Sequence, residues 1–83
     1  VNLTAAKIDQ ADLDSVLLIE ANLTDANLSH ANLRNADLSH ANLTNANVQN
    51  ASLIHAILDG AILDNTNFCG AILPDGSVGE CQP

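Results

Sequence analysis

The sequence predicts an all-β solenoid, in which short extended segments and corners alternate along the chain. Residues 21–50 are one five-residue unit written six times: a small residue, a short polar residue, an aliphatic residue and two polar residues. Continued in both directions, this register places an aliphatic or aromatic residue at the centre of every unit from Leu3 to Leu73. A repeat of fixed period indicates a stack of similar units, each of which contacts only its neighbours.

A period of five excludes both an ordinary amphipathic helix and a straight strand. At about 100° per residue, a helix would rotate each successive leucine by roughly 140°, so the apolar stripe would spiral around it. In a strand, Ala21 and Leu23 would share one face, but the next such pair would point to the opposite face. Asn, Asp and Ser favour corners, because they tolerate left-handed backbone angles and bond to nearby backbone groups. The chain should therefore turn once per unit and coil as a prism with leucine and alanine inside.

Fifteen units, the last one incomplete, follow one another over residues 1–73, and the regular ones have the form A(N/D)LXX. This pattern resembles the pentapeptide repeat family, many members of which are bacterial and especially cyanobacterial. The resemblance implies a right-handed quadrilateral β-helix with four units in each coil, so that residues twenty apart lie one above the other. Fifteen units would then form just under four coils. In columns such as Asn2, Asn22 and Asn42, we expect the side-chain amides to bond to their copies above and below.

Residues 74–83 depart from the repeat, and we expect them to form a turn and a tail that caps the β-helix of residues 1–73. Pro-Asp-Gly at residues 74–76 favours a turn, and Cys69 and Cys81 stand on either side of it. We predict a disulfide between these two cysteines; the alternative is a pair of free thiols in a reducing cytoplasm. The compartment stays open: cytoplasm, or periplasm or thylakoid lumen if the disulfide forms.

Charge and composition exclude several classes of partner. The net charge is −8, and Lys7 and Arg34 are the only Lys or Arg residues, so there is no basic face for nucleic acid. Phe68 is the only aromatic residue and gives no stacking platform for bases. No apolar run approaches the length of a membrane span, so we expect no membrane insertion.

The sequence offers no catalytic, cofactor-binding or metal-binding constellation, and we predict that the chain is not an enzyme. His30, His40 and His55 fall on three different faces of the predicted coil, so they cannot converge on one metal ion. Ser, His and Asp are frequent, but a catalytic triad needs a cleft and a buried Asp, which a filled prism lacks.

Outward-facing isoleucines in the late coils mark the candidate interaction surface. The register places Ile54, Ile57, Ile62 and Ile72 outside, where most other units hold polar residues. Ile72 should lie above Ser52 on one face, beside Ile54, whereas Ile57 and Ile62 should lie on other faces. The tail could fold over this patch and hide it, or the patch could contact another molecule.

These features favour a non-enzymatic, rigid module that binds a protein partner or a second copy of itself. One alternative is a structural spacer within a longer chain. Another comes from the family resemblance, because some members mimic DNA and bind DNA gyrase. The net charge fits such mimicry, but about four coils at 4.8 Å would cover only five or six base pairs, and the carboxylates are not aligned.

Overall fold

The computed structural model describes residues 2–81, and its backbone forms a quadrilateral β-helix. Pairing between coils is parallel and consists of single-residue bridges twenty residues apart, beginning with Asn2 and Asn22 and ending with Ser52 and Ile72. Four units therefore make one coil, as predicted. Within residues 2–81 there is no α-helix, and the extended segments are only one bridged residue long. Val1, Gln82 and Pro83, which belong to the predicted repeat and tail, lie outside the described residues.

Each corner is a β-turn with one residue in the left-handed region. The N–H of Ala26 donates to the carbonyl oxygen of Leu23 across 3.0 Å, and Asp25 between them has φ of 62°. A positive φ at the third turn position is the requirement of a type II turn. Asn and Asp tolerate it well, but the same position also accepts residues such as Glu20 at 61°.

The polar residue before each centre stabilises the turn of its own unit. Asn22 Oδ1 accepts hydrogen bonds from the N–H of Thr24 at 3.1 Å and from its hydroxyl at 2.7 Å. The prediction that these amides bond to their copies in neighbouring coils was wrong for the column of Asn2, Asn22 and Asn42, whose side-chain oxygens bond within their own turns. Among residues 2–81 only Asn32 Nδ2 reaches such a copy, donating to Asp12 Oδ1 at 3.3 Å. The side-chain oxygen bonds to the turn N–H rather than to the neighbouring coil, because that N–H lies only two residues away on the same corner.

The interior of the prism is apolar. Seven central side chains are fully buried: Leu23, Leu28, Leu33, Leu38, Val48, Leu43 and Leu53. Alanines two residues earlier fill the narrower space beside them, and none of the described polar residues is buried. Thr66 replaces alanine near the end of the repeat, and its hydroxyl donates to the carbonyl oxygen of Leu43 at 2.7 Å. That bond satisfies a polar group that would otherwise be costly inside an apolar wall.

A two-way ladder of backbone hydrogen bonds joins successive coils. The N–H of Leu23 donates forward to the carbonyl oxygen of Asn42 at 2.8 Å, and the N–H of Asn42 donates back to the carbonyl oxygen of Ala21 at 2.9 Å. One residue of each unit thus makes two bonds to the coil before it. Only a coil with neighbours on both sides can complete this pattern.

Residues 74–81 return along the last coil in the antiparallel direction. Leu73 accepts a hydrogen bond from the N–H of Gly76 at 2.8 Å and donates its own N–H to Ser77 at 2.7 Å. Val78 pairs with Ile72, and the N–H of Gly79 donates to the carbonyl oxygen of Ala71 at 2.8 Å. The tail therefore covers the edge of one face and leaves the opposite face without a backbone partner from residues 2–81.

Replacement of a central leucine tests this assignment of the core. Leu33→Ala should lower the free energy of unfolding by about 2–5 kcal/mol, because it leaves a cavity in the middle of a filled prism. Leu63→Ala should cost clearly less, because Leu63 stands at the same position of its unit but is 38% exposed. Urea denaturation followed by circular dichroism measures both. Equal losses of unfolding free energy in the two variants would contradict the conclusion that the last coil is open.

Candidate functional site

The four predicted surface isoleucines differ in exposure and do not converge. Ile57 is 43% exposed and Ile62 is 46% exposed, and both project from the outer wall. Ile54 and Ile72 are half-buried, and Ile72 lies beside the returning tail. Ile57 belongs to the column of Asp37, whereas Ile62 belongs to the column of Asn42 on the adjacent face. The tail runs along another face, so it leaves Ile57 and Ile62 uncovered.

Two further exposed apolar residues lie at the other end of the molecule. Leu17 is exposed, and it shares the column of Asp37 and Ile57. Ile19 is also exposed, a feature that the sequence reasoning missed. The signal was available, because Ile19 occupies a position that holds a polar residue in all six regular units of residues 21–50.

The C-terminal end of the prism is an open apolar cavity of about 560 Å³. Its walls come from central residues of the last units and from the tail: Leu58, Leu63, Phe68, Leu73, Pro74 and Glu80. Sequence reasoning treated these central residues as core. They line a cavity instead, because no complete coil among residues 2–81 lies above them and the tail covers only one side.

Cys69 and Cys81 are joined as a disulfide in this structure, with their Cα atoms 4.4 Å apart. The backbone brings them together, because the N–H of Gly70 donates to the carbonyl oxygen of Gly79 at 3.2 Å. Gly79 has no room for a side chain, since a Cβ there would overlap the carbonyl oxygen of Phe68. The oxidation state in solution stays a prediction, which a thiol assay can test.

The histidines and carboxylates occupy separate positions on the surface. His30, His40 and His55 are exposed at corners, and residues 2–81 contain no group of three or more His, Cys, Asp or Glu side chains arranged to hold a metal ion. Gly60 gives His40 its space, because a Cβ at Gly60 would overlap the imidazole. Residues 2–81 also contain no helix that is long and apolar enough to cross a membrane.

Two carboxylates have pKa values below their ordinary range because a serine bonds to them. The hydroxyl of Ser39 donates to Asp37 Oδ1 at 2.6 Å and its N–H donates at 3.1 Å, and together they lower the pKa of Asp37. In the tail, the hydroxyl and N–H of Ser77 lower the pKa of Asp75 in the same way. The tail thus reproduces the polar turn of the repeat units, although it lies outside the repeat.

The family model for pentapeptide repeats matches residues 1–35, 21–60 and 36–75, with 8 copies of the repeat. The chain therefore belongs to the pentapeptide repeat family, a non-catalytic repeat fold, and its β-helix is right-handed as predicted. No curated protein sequence matches the chain.

Solved structures of pentapeptide repeat proteins from cyanobacteria and a plant are similar to this chain. HetL of Nostoc sp. strain PCC 7120, which is involved in heterocyst differentiation regulation, is 44% identical, with a TM-score of 0.90 over 94% of this chain and 36% of HetL. A protein of the Arabidopsis thaliana thylakoid lumen is 38% identical, with a TM-score of 0.81 over 84% of this chain and 49% of that protein. A second Nostoc protein is 34% identical, with a TM-score of 0.55 over 78% of this chain and 58% of that protein.

The chain thus spans 36–58% of the length of these relatives. What their names say about biological role belongs to those longer proteins.

Reduction of the disulfide should loosen the tail. Cys69→Ser with Cys81→Ser should lower the free energy of unfolding by up to about 3 kcal/mol, because the crosslink restricts the unfolded chain. Amide hydrogen exchange should accelerate at Gly70 and Gly79, whose N–H groups join the tail to the last coil. Exchange at Leu33 in the middle of the prism serves as the internal control. Free thiols in the untreated, air-oxidised protein would contradict the pairing.

Removal of the serine hydroxyl should raise the pKa of Asp37. We expect Ser39→Ala to move this pKa toward its ordinary value of about 4, as measured by NMR titration of the side-chain carboxyl. Because the folded-state pKa is lowered, ionised Asp37 stabilises the fold above its unfolded pKa, and this contribution is lost as the pH falls through the folded pKa. The loss of this stabilisation below about pH 4 should be smaller in the Ser39→Ala variant. Ser29→Ala is the matched control, since Ser29 bonds in the same way to Asn27, which does not titrate.

Proposed function

We propose that this protein is a rigid, non-enzymatic module that binds another protein, and that Ile57 and Ile62 form the centre of the binding surface. The observation that carries the proposal is that both side chains are exposed at positions where the fold itself favours Asn or Asp. Ile54 and Ile72 of the predicted surface are half-buried, and Ile72 lies on the face of Ser52, so neither belongs to this centre.

The two isoleucines forgo a hydrogen bond that the polar residues in their columns make. In the column of Ile62, Asn42 Oδ1 accepts the N–H of Thr44 at 3.0 Å. In the column of Ile57, Asp37 Oδ1 accepts the N–H of Ser39 at 3.1 Å. An isoleucine side chain cannot accept this hydrogen bond. Because the side chain is exposed, it does not stabilise the prism through burial either. Contiguous exposed apolar surface is typical of contact sites, and Ile57 and Ile62 stand on either side of one corner.

Rigidity of the surrounding wall supports a preformed surface. Ile57 donates its N–H to Ala36 at 2.8 Å, and Ile62 donates to Ala41 at 2.9 Å, so both backbones are fixed to the coil below. The two side chains lie on adjacent faces with Asp59 and Gly60 at the corner between them. A partner that contacts both must therefore cover this corner, and little conformational entropy of the module is lost on binding.

The double variant Ile57→Asn with Ile62→Asn tests the proposal. It introduces the residue type that is most frequent at this position of the repeat, so we expect the free energy of unfolding to be unchanged or about 0.5–1 kcal/mol higher. Partner binding should fall at least tenfold. Proteins captured from a cyanobacterial lysate by the parent chain would be identified by mass spectrometry, produced pure, and titrated against both proteins by calorimetry.

Leu17→Asn is the matched control. Leu17 lies in the same column as Ile57 but two coils away, and it carries the same type of substitution. A purified partner that binds parent and control equally but not the double variant would support the proposal. Unchanged binding by the double variant would contradict it. An empty capture, with the parent monomeric by ultracentrifugation, would favour the spacer hypothesis.

A further inference from the structure

We propose that the open C-terminal end of the prism binds an extended segment of a partner protein in which apolar and basic residues alternate. The segment adds one strand to the last coil over Ala61–Leu63, opposite the tail. This inference shares with the proposed function only the idea of a protein partner. It uses the end of the prism rather than the outer wall, so the two can fail separately.

The last coil presents unpaired backbone groups in a fixed register. The N–H of Leu63 and the carbonyl oxygen of Ala61 have no backbone partner within residues 2–81. One coil earlier, the equivalent groups of Leu43 and Ala41 both bond to Ile62, at 2.8 Å and 2.9 Å. One residue of an incoming strand can therefore accept from Leu63 and donate to Ala61. Such strand addition to an exposed edge is a general mode of peptide recognition.

The open cavity beside this edge provides places for apolar side chains. A residue in the position of Ile62 points outward, whereas the residues on either side of it, like Ala61 and Leu63, point inward. The neighbours of the docking residue in an incoming strand would therefore enter the cavity of about 560 Å³ between Leu58, Leu63 and Phe68. This volume lies in the range of pockets that hold a ligand.

The negative charge around the open end of the prism favours a basic segment as the occupant. Asp75 and Glu80 line the cavity, and Asp59 and Asp64 are exposed on the same last coil. No Lys or Arg occurs after Arg34, so these carboxylates have no basic partner nearby in the sequence. A lysine or arginine at the outward position of the bound strand would point away from the cavity and lie near Asp59 and Asp64, which flank Ala61–Leu63 in the sequence. A second copy of the chain is disfavoured as the occupant, because each copy carries a net charge of −8.

A synthetic heptapeptide of alternating lysine and leucine, blocked at both ends, is the probe. We expect it to bind the full chain, as measured by calorimetry, and to slow amide exchange at Leu63. Methylation of the backbone nitrogen of its central lysine should weaken binding about tenfold, because that N–H donates to Ala61. Replacement of lysine by glutamate in the peptide should abolish binding.

Charge variants separate specific docking from general attraction to an acidic protein. Asp59→Asn with Asp64→Asn should weaken peptide binding about threefold to tenfold. Asp9→Asn with Asp14→Asn removes the same charge from the first coil and should have no effect. Equal losses in both variants, or equal binding of the methylated peptide, would overturn the proposal. Ile57→Asn should not change the affinity for the peptide. If the peptide does not bind as expected, the separate proposal for Ile57 and Ile62 on the outer wall is therefore unaffected.

Discussion

The ladder of backbone hydrogen bonds between coils is the interaction on which the rest of this structure depends. The N–H of a central residue donates to the next coil, as Leu23 does to Asn42. The N–H of the residue before a centre donates to the previous coil, as Asn42 does to Ala21. These bonds fix the distance of twenty residues between equivalent positions, which in turn aligns the leucines inside and the polar turns outside. Stability is therefore built up between neighbouring coils, and it is greatest where a coil has a neighbour on both sides.

The same dependence explains why the ends differ from the middle. The central leucines of the second coil are buried, whereas Leu63 at an equivalent position remains 38% exposed. The tail compensates on one face only, through Val78 and the disulfide of Cys69 and Cys81. An apolar cavity and an unpaired edge remain on the other side. The end of the repeat thus offers a second candidate binding feature, separate from Ile57 and Ile62 on the outer wall.

Fold and candidate surface were accessible from the sequence to different degrees. The five-residue period excluded the helix and required a corner per unit, and the family resemblance gave four units per coil. Both expectations were confirmed. The side-chain amides were assigned wrongly, because periodicity shows that Asn22 and Asn42 stack but not which donor lies nearest to each oxygen. The outward direction of Ile57 and Ile62 followed from the register, but their exposure depended on the path of the tail.

The sequence by itself determined which side chains lie inside and which residues stack, because a strict period leaves each position one orientation. Tertiary structure alone decided how completely each position is buried. Leu43 and Leu63 occupy the same position of the repeat in the same column, yet one is covered by a further coil and the other borders a cavity. Burial depends on which residues lie above a side chain. At the end of the prism these are residues 74–81, which follow a turn that is not part of the repeat.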